Sequence, residues 1–198
     1  GHKIYLIEDC AQCLGGEYKG KKLGSIGDAG CFSFCQDKII TTGGEGGMLL
    51  LKDGETYKKA WSFKDHGKSF DYYNSLIDHV LVKKDIERPT GKYGSVGTNW
   101  RMTEMQAAIG RVALSKLDDW NVKHRRNFAK ILDEGFSQID GLIVQDIPDY
   151  IHHPYYKYYV YFDIDRLNEG WTRVRFIKEI NAEGVVCQHG STWGIGKE

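Results

Sequence analysis

Lys38 stands five residues after Ser33 in the run Gly30-Cys-Phe-Ser-Phe-Cys-Gln-Asp-Lys-Ile-Ile-Thr-Thr-Gly-Gly-Glu-Gly-Gly47. The run joins a short apolar strand, a hydroxyl, a lone lysine and a glycine cluster. A lysine that acts as an amine nucleophile needs such a setting. Desolvation and neighbouring cations favour its neutral form, and a neutral amine attacks a carbonyl to form a Schiff base. Upstream, the apolar run Ile4-Tyr-Leu-Ile7 leads directly into Glu8 and Asp9, with Gln12 shortly beyond. Runs of that kind suit a parallel strand buried on both faces. In open α/β sheets, ligands bind outside the carboxyl ends of the strands, where Asp9 would stand. Taken singly, Lys38 also reads as a solvated loop lysine, and Asp9 as an acid in an ordinary polar loop.

Several other patterns point away from competing chemistries. Gly43-Gly-Glu-Gly-Gly47 lacks the Lys-Ser/Thr of a P-loop and runs into the strand-like Met48-Leu-Leu-Leu51, not into a helix. That argues against nucleotide-triphosphate and dinucleotide readings. The glycines read as permissive, letting backbone pass close to the lysine and turn into the next strand. Cys10 and Cys13 have C-x-x-C spacing, but no second ligand pair follows and Asp9 and Gln12 interleave with them, so zinc or redox function is disfavoured. Lys123-His-Arg-Arg126 follows Asp118 and Asp119 and reads as a solvated helix face. With 27 basic and 27 acidic side chains the charge balances, which argues against a nucleic-acid binder. The apolar stretches are only a few residues long, so no membrane partner is expected. The five cysteines show no secreted framework and fit a reducing cytoplasm.

Taken together, Ile7-Glu-Asp-Cys-Ala-Gln12, Gly24-Ser-Ile-Gly-Asp28, Cys31-Phe-Ser-Phe34, Lys38, Gly44-Glu-Gly-Gly47 and Thr98-Asn-Trp-Arg-Met-Thr-Glu-Met-Gln-Ala-Ala108 resemble one family. It is the DegT/DnrJ/EryC1/StrS family of pyridoxal-phosphate-dependent nucleotide-sugar aminotransferases. The likeness covers residues 1 to about 140 well and the remainder loosely. It implies roles residue by residue. Lys38 matches the lysine that holds pyridoxal 5′-phosphate covalently, and Asp9 the aspartate that binds the pyridinium nitrogen. Gln12 matches a glutamine packed beside the ring near its phenolic oxygen. Ser33 matches a serine that bonds the cofactor phosphate, and Asn99 an asparagine that reaches the phosphate from a neighbouring subunit. A branch of the family has histidine at the lysine position and dehydrates deoxysugars; lysine here favours transamination.

What the resemblance implies is transfer of an amino group from an amino acid, usually glutamate, to a nucleotide-linked keto sugar. The expected setting is surface-polysaccharide or amino-sugar biosynthesis, in a homodimer with shared active sites. The chemistry demands these residue types. The cofactor is an electron sink only while its ring nitrogen is protonated. Opposite charges at ~4 Å attract by roughly 4 kcal/mol at an intermediate dielectric. An exposed pair gives only about 0.2–1 kcal/mol. Asp9 is therefore expected to matter greatly for turnover and Glu8 little. His66, in Asp65-His-Gly67, is read as packing or hydrogen bonding near the site, not as a base.

The elements that must position these groups follow from the pattern. Residues 3–9, 30–35 and 47–52 read as strands of a cofactor-binding sheet, with Cys31 and Ser33 on one face and Phe32 and Phe34 on the other. Residues 14–24 read as a hairpin turning near Lys19-Gly20, and 54–64 as a helix. Residues 68–97 read as a long loop, either crossing towards a partner subunit or a disordered insertion. Thr103-Glu-Met-Gln106 is a capping-box pattern opening a long helix, with or without a kink, to about 138. Ala108, Ile109, Val112, Ala113, Leu117 and Trp120 form its core or interdomain stripe. Strands near 142–145 and 157–164, a helix near 172–183 ending at Gly184, and a strand at Val185–Cys187 complete the reading. His152 and His153 read as loop residues and the aromatic run Tyr155 to Phe162 as strand core.

The fold class is α/β. It is read as part of the three-layer α/β/α large domain of fold type I aminotransferases (1–140), followed by the start of a small α+β domain (141–198). Family members have further upstream strands and a phosphate turn, so the chain is expected to be partial. The alternative function is a catalytically silent folding or dimerising unit, self-associating through unpaired sheet edges.

Overall fold

The computed structural model describes residues 2, 4–80, 92–166 and 168–190. Three strands form the sheet that carries the candidate site: β1 (Ile7–Asp9), β4 (Ala29–Ser33) and β5 (Gly47–Leu51). β4 is central, parallel to β1 and antiparallel to β5. Between β1 and β4 lies the hairpin of β2 (Glu17–Tyr18) and β3 (Lys21–Lys22). Its tip is Lys19 (φ 49°) and Gly20 (φ 73°), the left-handed pair that a two-residue hairpin turn requires.

β1 begins later than expected. The Leu6 N–H is taken by the Asp28 carboxylate at 2.8 Å, and Leu6 C=O accepts from Asp28 N–H at 2.7 Å, so side chain replaces ladder at this point. The run also does not bury both faces. Ile4 is 88% and Ile7 67% exposed, because among the described residues β1 has β4 alone as a neighbour in the sheet.

α1 (Gly54–Lys64) is N-capped by Asp53, which accepts from Thr56 N–H at 2.7 Å. The segment expected to be a loop contains a helix, α2 (Phe70–Val80). Phe70 and Tyr73 pack on Trp61 of α1 with ring centroids 5.2 and 6.3 Å apart. Ser69 starts the helix, its carbonyl accepting from Tyr73 N–H at 3.1 Å. Tertiary contact between two aromatic faces overrides a weak local pattern. Residues 81–91 of that segment lie outside the described residues.

The capping box is present. Thr103 Oγ1 accepts from Gln106 N–H and Gln106 Oε1 accepts from Thr103 N–H, opening α3 (Glu104–Ser115). The expected long helix is broken at Lys116, passes through a π-helical turn (Leu117–Val122) and resumes as α4 (Lys123–Phe136). The wider turn sends both Leu117 and Val122 into the core. The predicted apolar stripe is only partly core. Leu117 is buried, whereas Ile109, Val112 and Trp120 are 47%, 57% and 58% exposed.

Beyond α4, β6 (Leu142–Val144) pairs antiparallel with β8 (Val160–Phe162). β7 (Ile151–His152), which the pattern did not reveal, pairs with β2 and ties this region back to the first hairpin. α5 (Arg173–Ala182) sets Phe176 against Phe162 at 5.2 Å. Gly184 stops it at φ 83°. The strand expected at Val185–Cys187 is not formed. Asn181 substitutes for a partner strand, donating to Cys187 C=O at 2.7 Å and accepting its N–H at 3.2 Å.

The main core is small and sits beneath the lysine loop: Phe34, Ile39, Ile40, Leu117 and Val122, flanked by Leu14, Phe32, Met102, Ala113 and Tyr156. Among the described residues no helix is long and apolar enough to cross a membrane.

Candidate active site

Strand register explains which groups share a face. Asp9 pairs with Cys31, and Ser33 lies two residues further along β4, so the three project to the same side. Glu8 projects to the other side with Phe32. Asp9 thus faces the site while its neighbour Glu8 does not. Ser33 pairs with Gly47, where a Cβ would come within 2.8 Å of Phe32 C=O. The glycine keeps the strand close and leaves the face beside Ser33 open.

The lysine loop is fastened at both ends. Phe34 N–H donates to Gly46 C=O at 2.8 Å, closing residues 34–46 into a lobe. Inside it Thr42, 1% exposed, donates through Oγ1 to Glu45 C=O at 3.1 Å. Ile39 and Ile40, 3% and 5% exposed, plug into the core and leave the half-buried Lys38 at the rim. Lys38 Nζ lies 4.7 Å from the centre of the Tyr156 ring. Asp37, next to it, accepts a short hydrogen bond from the Tyr156 hydroxyl. That bond, set against slight burial, holds the Asp37 carboxyl below the usual range and, as the main cause, pushes the Tyr156 hydroxyl up to about 12.

Tyr156 was not found in the sequence, where it sat unmarked in an aromatic run read as strand core. No local pattern signals a contact across so many residues. The same is true of Asn121 and Arg125. Asn121 Nδ2 donates to Ile39 C=O at 2.7 Å, Arg125 Nε donates to Asn121 Oδ1 at 2.7 Å, and Arg125 Nη1 reaches Tyr155 C=O and Tyr156 C=O, each at 3.1 Å. The π-helical turn carries Asn121 to the lysine loop. The basic patch is therefore not wholly a solvated face: Arg125 and Arg126 are half-buried, and Arg126 Nη1 donates to His153 C=O at 3.0 Å. His152 and His153 are half-buried as well, and burial pushes both imidazoles down.

The remaining predicted residues divide. Asp9 is exposed, and its Oδ1 accepts Ala11 N–H at 3.0 Å. Gln12 is exposed beyond it. Ser33 Oγ accepts Cys35 N–H at 3.3 Å. Asn99 is not brought to this group. It bridges to Asp65 and accepts from Arg101 Nε at 3.1 Å, in a cluster where Asp65 meets Lys68 at 3.1 Å and Arg101 at 3.3 Å. His66 belongs to that cluster, 3.5 Å from Arg101 Nη2. Cys10 is buried, and burial first, with Cys13 and nearby carboxylates adding, pushes its thiol up to about 12. Cys13 Sγ rests on Asp9 C=O at 3.9 Å.

Glu8 has a structural task that sequence reading did not supply. Its Oε2 accepts Gly24 N–H at 2.8 Å, and its Oε1 accepts Ile26 and Gly27 N–H at 2.7 and 2.6 Å. Burial pulls the carboxyl upward, but the bonds from Gly27, Gly24 and Ile26, with Lys52, outweigh it and hold Glu8 below the usual carboxylate range.

Asp9 and Ser33 on one sheet face, with the primary amine of Lys38 on the loop that follows β4, offer a donor set that suits an aromatic cation bearing a phosphate and an aldehyde. Asp9 can accept a ring N–H, Ser33 can donate to a phosphate, and Lys38 can condense with a carbonyl.

Residues 1–190 match the model of the DegT/DnrJ/EryC1/StrS aminotransferase family. The spore coat polysaccharide biosynthesis protein SpsC of Bacillus subtilis strain 168 is 33% identical over 182 residues, which is 92% of this chain and 44% of that protein. GDP-perosamine synthase of Escherichia coli O157:H7 is 35% identical over 136 residues, 69% of this chain and 32% of that protein. The solved aminotransferase from Psychrobacter cryohalolentis has a TM-score of 0.80 at 42% identity, covering 94% of this chain and 47% of its own. The chain thus spans less than half the length of each of these relatives.

Proposed function

This chain belongs to the DegT/DnrJ/EryC1/StrS aminotransferase family, and on that footing we propose that it carries the lysine-bearing part of a pyridoxal 5′-phosphate site for amination of a nucleotide-linked keto sugar. The observation that carries the reading is the register of β1 and β4, which sets Asp9 and Ser33 on one face beside the core-anchored loop of Lys38. Pyridoxal phosphate, when bound, supplies an electron sink through its protonated ring. Asp9 is the acceptor that keeps a proton on the ring nitrogen. Lys38 Nζ is the amine that retains the cofactor and, once displaced, the base that moves the substrate proton. Ser33 Oγ bonds phosphate, and Gln12 lies beside the phenolic oxygen.

Asn99 stands in its own cluster, which supports a role across a subunit boundary in a homodimer with shared sites. The names of the relatives support an amino-sugar or surface-polysaccharide setting. An amino acid such as glutamate is the donor in this reading, and the reaction is cytoplasmic. Residues 1–140 serve as part of the cofactor domain and 141–198 open a small one.

The test is spectroscopic titration with pyridoxal phosphate. Lys38→Ala is expected to abolish the covalent spectral form, Asp9→Asn to shift the ring-protonated band, and Ser33→Ala to weaken binding. Identical titrations for all variants and the unaltered chain would remove these residues from the site.

A further inference from the structure

Asp37 immediately precedes Lys38. A carboxylate so close can pair with the ammonium and keep it protonated, which would blunt an amine that must attack a carbonyl. In this structure the carboxylate is turned to other work. The Tyr156 hydroxyl donates to Asp37 Oδ2, and the Tyr156 ring lies against the Lys38 ammonium, 4.7 Å from its centre. One side chain thus binds the competing anion through its edge and seats the amine on its face.

Tyr156 is held in that pose from behind. Arg125 binds the Tyr156 carbonyl and, through Asn121, the Ile39 carbonyl, so the tyrosine and the lysine loop are braced against the same pair of side chains. Tyr155, just before it, is left-handed at φ 49°, a conformation that a non-glycine residue keeps only when its surroundings impose it.

The other charged or titratable groups around the pair are accounted for. Cys35 Sγ donates to Glu45 Oε1 at 3.2 Å and also interacts with the Asp37 carboxylate, which the Lys38 charge still reaches across space. Lys157 Nζ lies 5.1 Å from the Tyr156 ring. Tyr159 adds a weak field at Tyr156. The Tyr156 hydroxyl, pushed up to about 12, remains a donor throughout the neutral range.

We propose that Tyr156 is a positioning residue whose hydroxyl draws Asp37 away from Lys38, so that the carboxylate pairs less closely with the amine. The inference rests on the reading of Lys38 as the cofactor-bearing amine. Its consequence, however, is a property of the free lysine.

The experiment is competitive acylation of the cofactor-free protein with acetic anhydride at pH 8, scored by peptide mass spectrometry, with Lys130 as internal reference. Tyr156→Phe keeps the ring and removes only the hydroxyl. The released Asp37 should then pair with Lys38, and acylation should slow about two- to fivefold, the span covered by an exposed ion pair. Adding Asp37→Asn to Tyr156→Phe should restore the rate. Asp37→Asn alone, a surface change that does not depend on Tyr156 folding correctly, should label no more slowly than the unaltered chain.

An unchanged rate in Tyr156→Phe, a slowing that Asp37→Asn fails to reverse, or a slowing in Asp37→Asn alone would each overturn the proposal. Because no cofactor is present, this result is separable from the functional reading. Cofactor attachment at Lys38 with failed labelling predictions would sink only the role of Tyr156. Confirmed labelling without cofactor attachment would sink only the reading of the site.

Discussion

Glu8 and Asp9 are adjacent acids with opposite consequences, and stability measurements separate them. The Glu8 carboxylate satisfies three backbone N–H groups of the 24–27 turn, and Gly24 and Gly27 are buried. A buried donor left without a partner costs about 1–3 kcal/mol. Glu8→Ala orphans two such donors, while water can still reach Ile26. Discounting for the partial exposure of the carboxylate, the loss should be about 2–4 kcal/mol. Glu8→Gln is more selective. Its amide oxygen can keep the Ile26 and Gly27 bonds, but its NH₂ must then face Gly24 N–H, so about 1–2 kcal/mol is expected.

Acid dependence follows from the same bonds. The folded carboxyl lies below its unfolded value near 4.5, so the unfolded chain binds the proton first. This contribution is complete above the unfolded value and disappears as pH falls through the folded one. Urea unfolding followed by circular dichroism, at pH 7 and in steps through the acid range, reads both effects. Asp9→Asn should leave the midpoint unchanged at pH 7, because among the described residues the Asp9 carboxylate accepts only the local Ala11 N–H. Equal midpoints for Glu8→Ala, Glu8→Gln and the unaltered chain, or an undiminished acid slope in Glu8→Gln, would refute the reasoning.

Three further outcomes are expected. Asn121→Ala should cost about 1–2 kcal/mol in thermal or urea unfolding, since it strips the buried Ile39 carbonyl of its donor. Arg125→Lys should cost about 1–3 kcal/mol in the same assay, because a single ammonium cannot span Asn121 and two carbonyls as a guanidinium does. Gly30→Ala should destabilise by about 1–3 kcal/mol, its Cβ meeting Gly24 C=O at 2.4 Å and Gly24 Cα at 2.5 Å, backbone atoms with no flexible side chain to yield.

Much of the placement of the candidate residues was legible because its logic is local. Strand period places Asp9 and Ser33 on one face, the glycines after Lys38 mark the return turn, and Thr103 with Gln106 announces a helix start. Each of these is decided within a few residues. What escaped was decided across the chain. Ile39 and Ile40 look like any apolar pair, yet their burial is what fixes Lys38 at the rim. Tyr156, Asn121 and Arg125 reach the lysine loop only because a π-helical turn and the pairing of β7 with β2 fold those segments back. α2 was missed because its aromatic residues find their partners on α1. The strand expected at Val185–Cys187 failed because one asparagine side chain satisfies the backbone that a neighbour would have paired. Glu8 is another such case: it lies in a strand the pattern revealed, but its side chain ties down the 24–27 turn, a contact no local pattern signals.

The most direct measurement incubates the chain with pyridoxal 5′-phosphate, reduces it with borohydride and maps the modified peptide by mass spectrometry. Attachment confined to Lys38, and lost in Lys38→Ala, is the predicted result. Adducts spread over surface lysines, or a Lys38→Ala protein labelled as fully as the unaltered chain, would contradict the account.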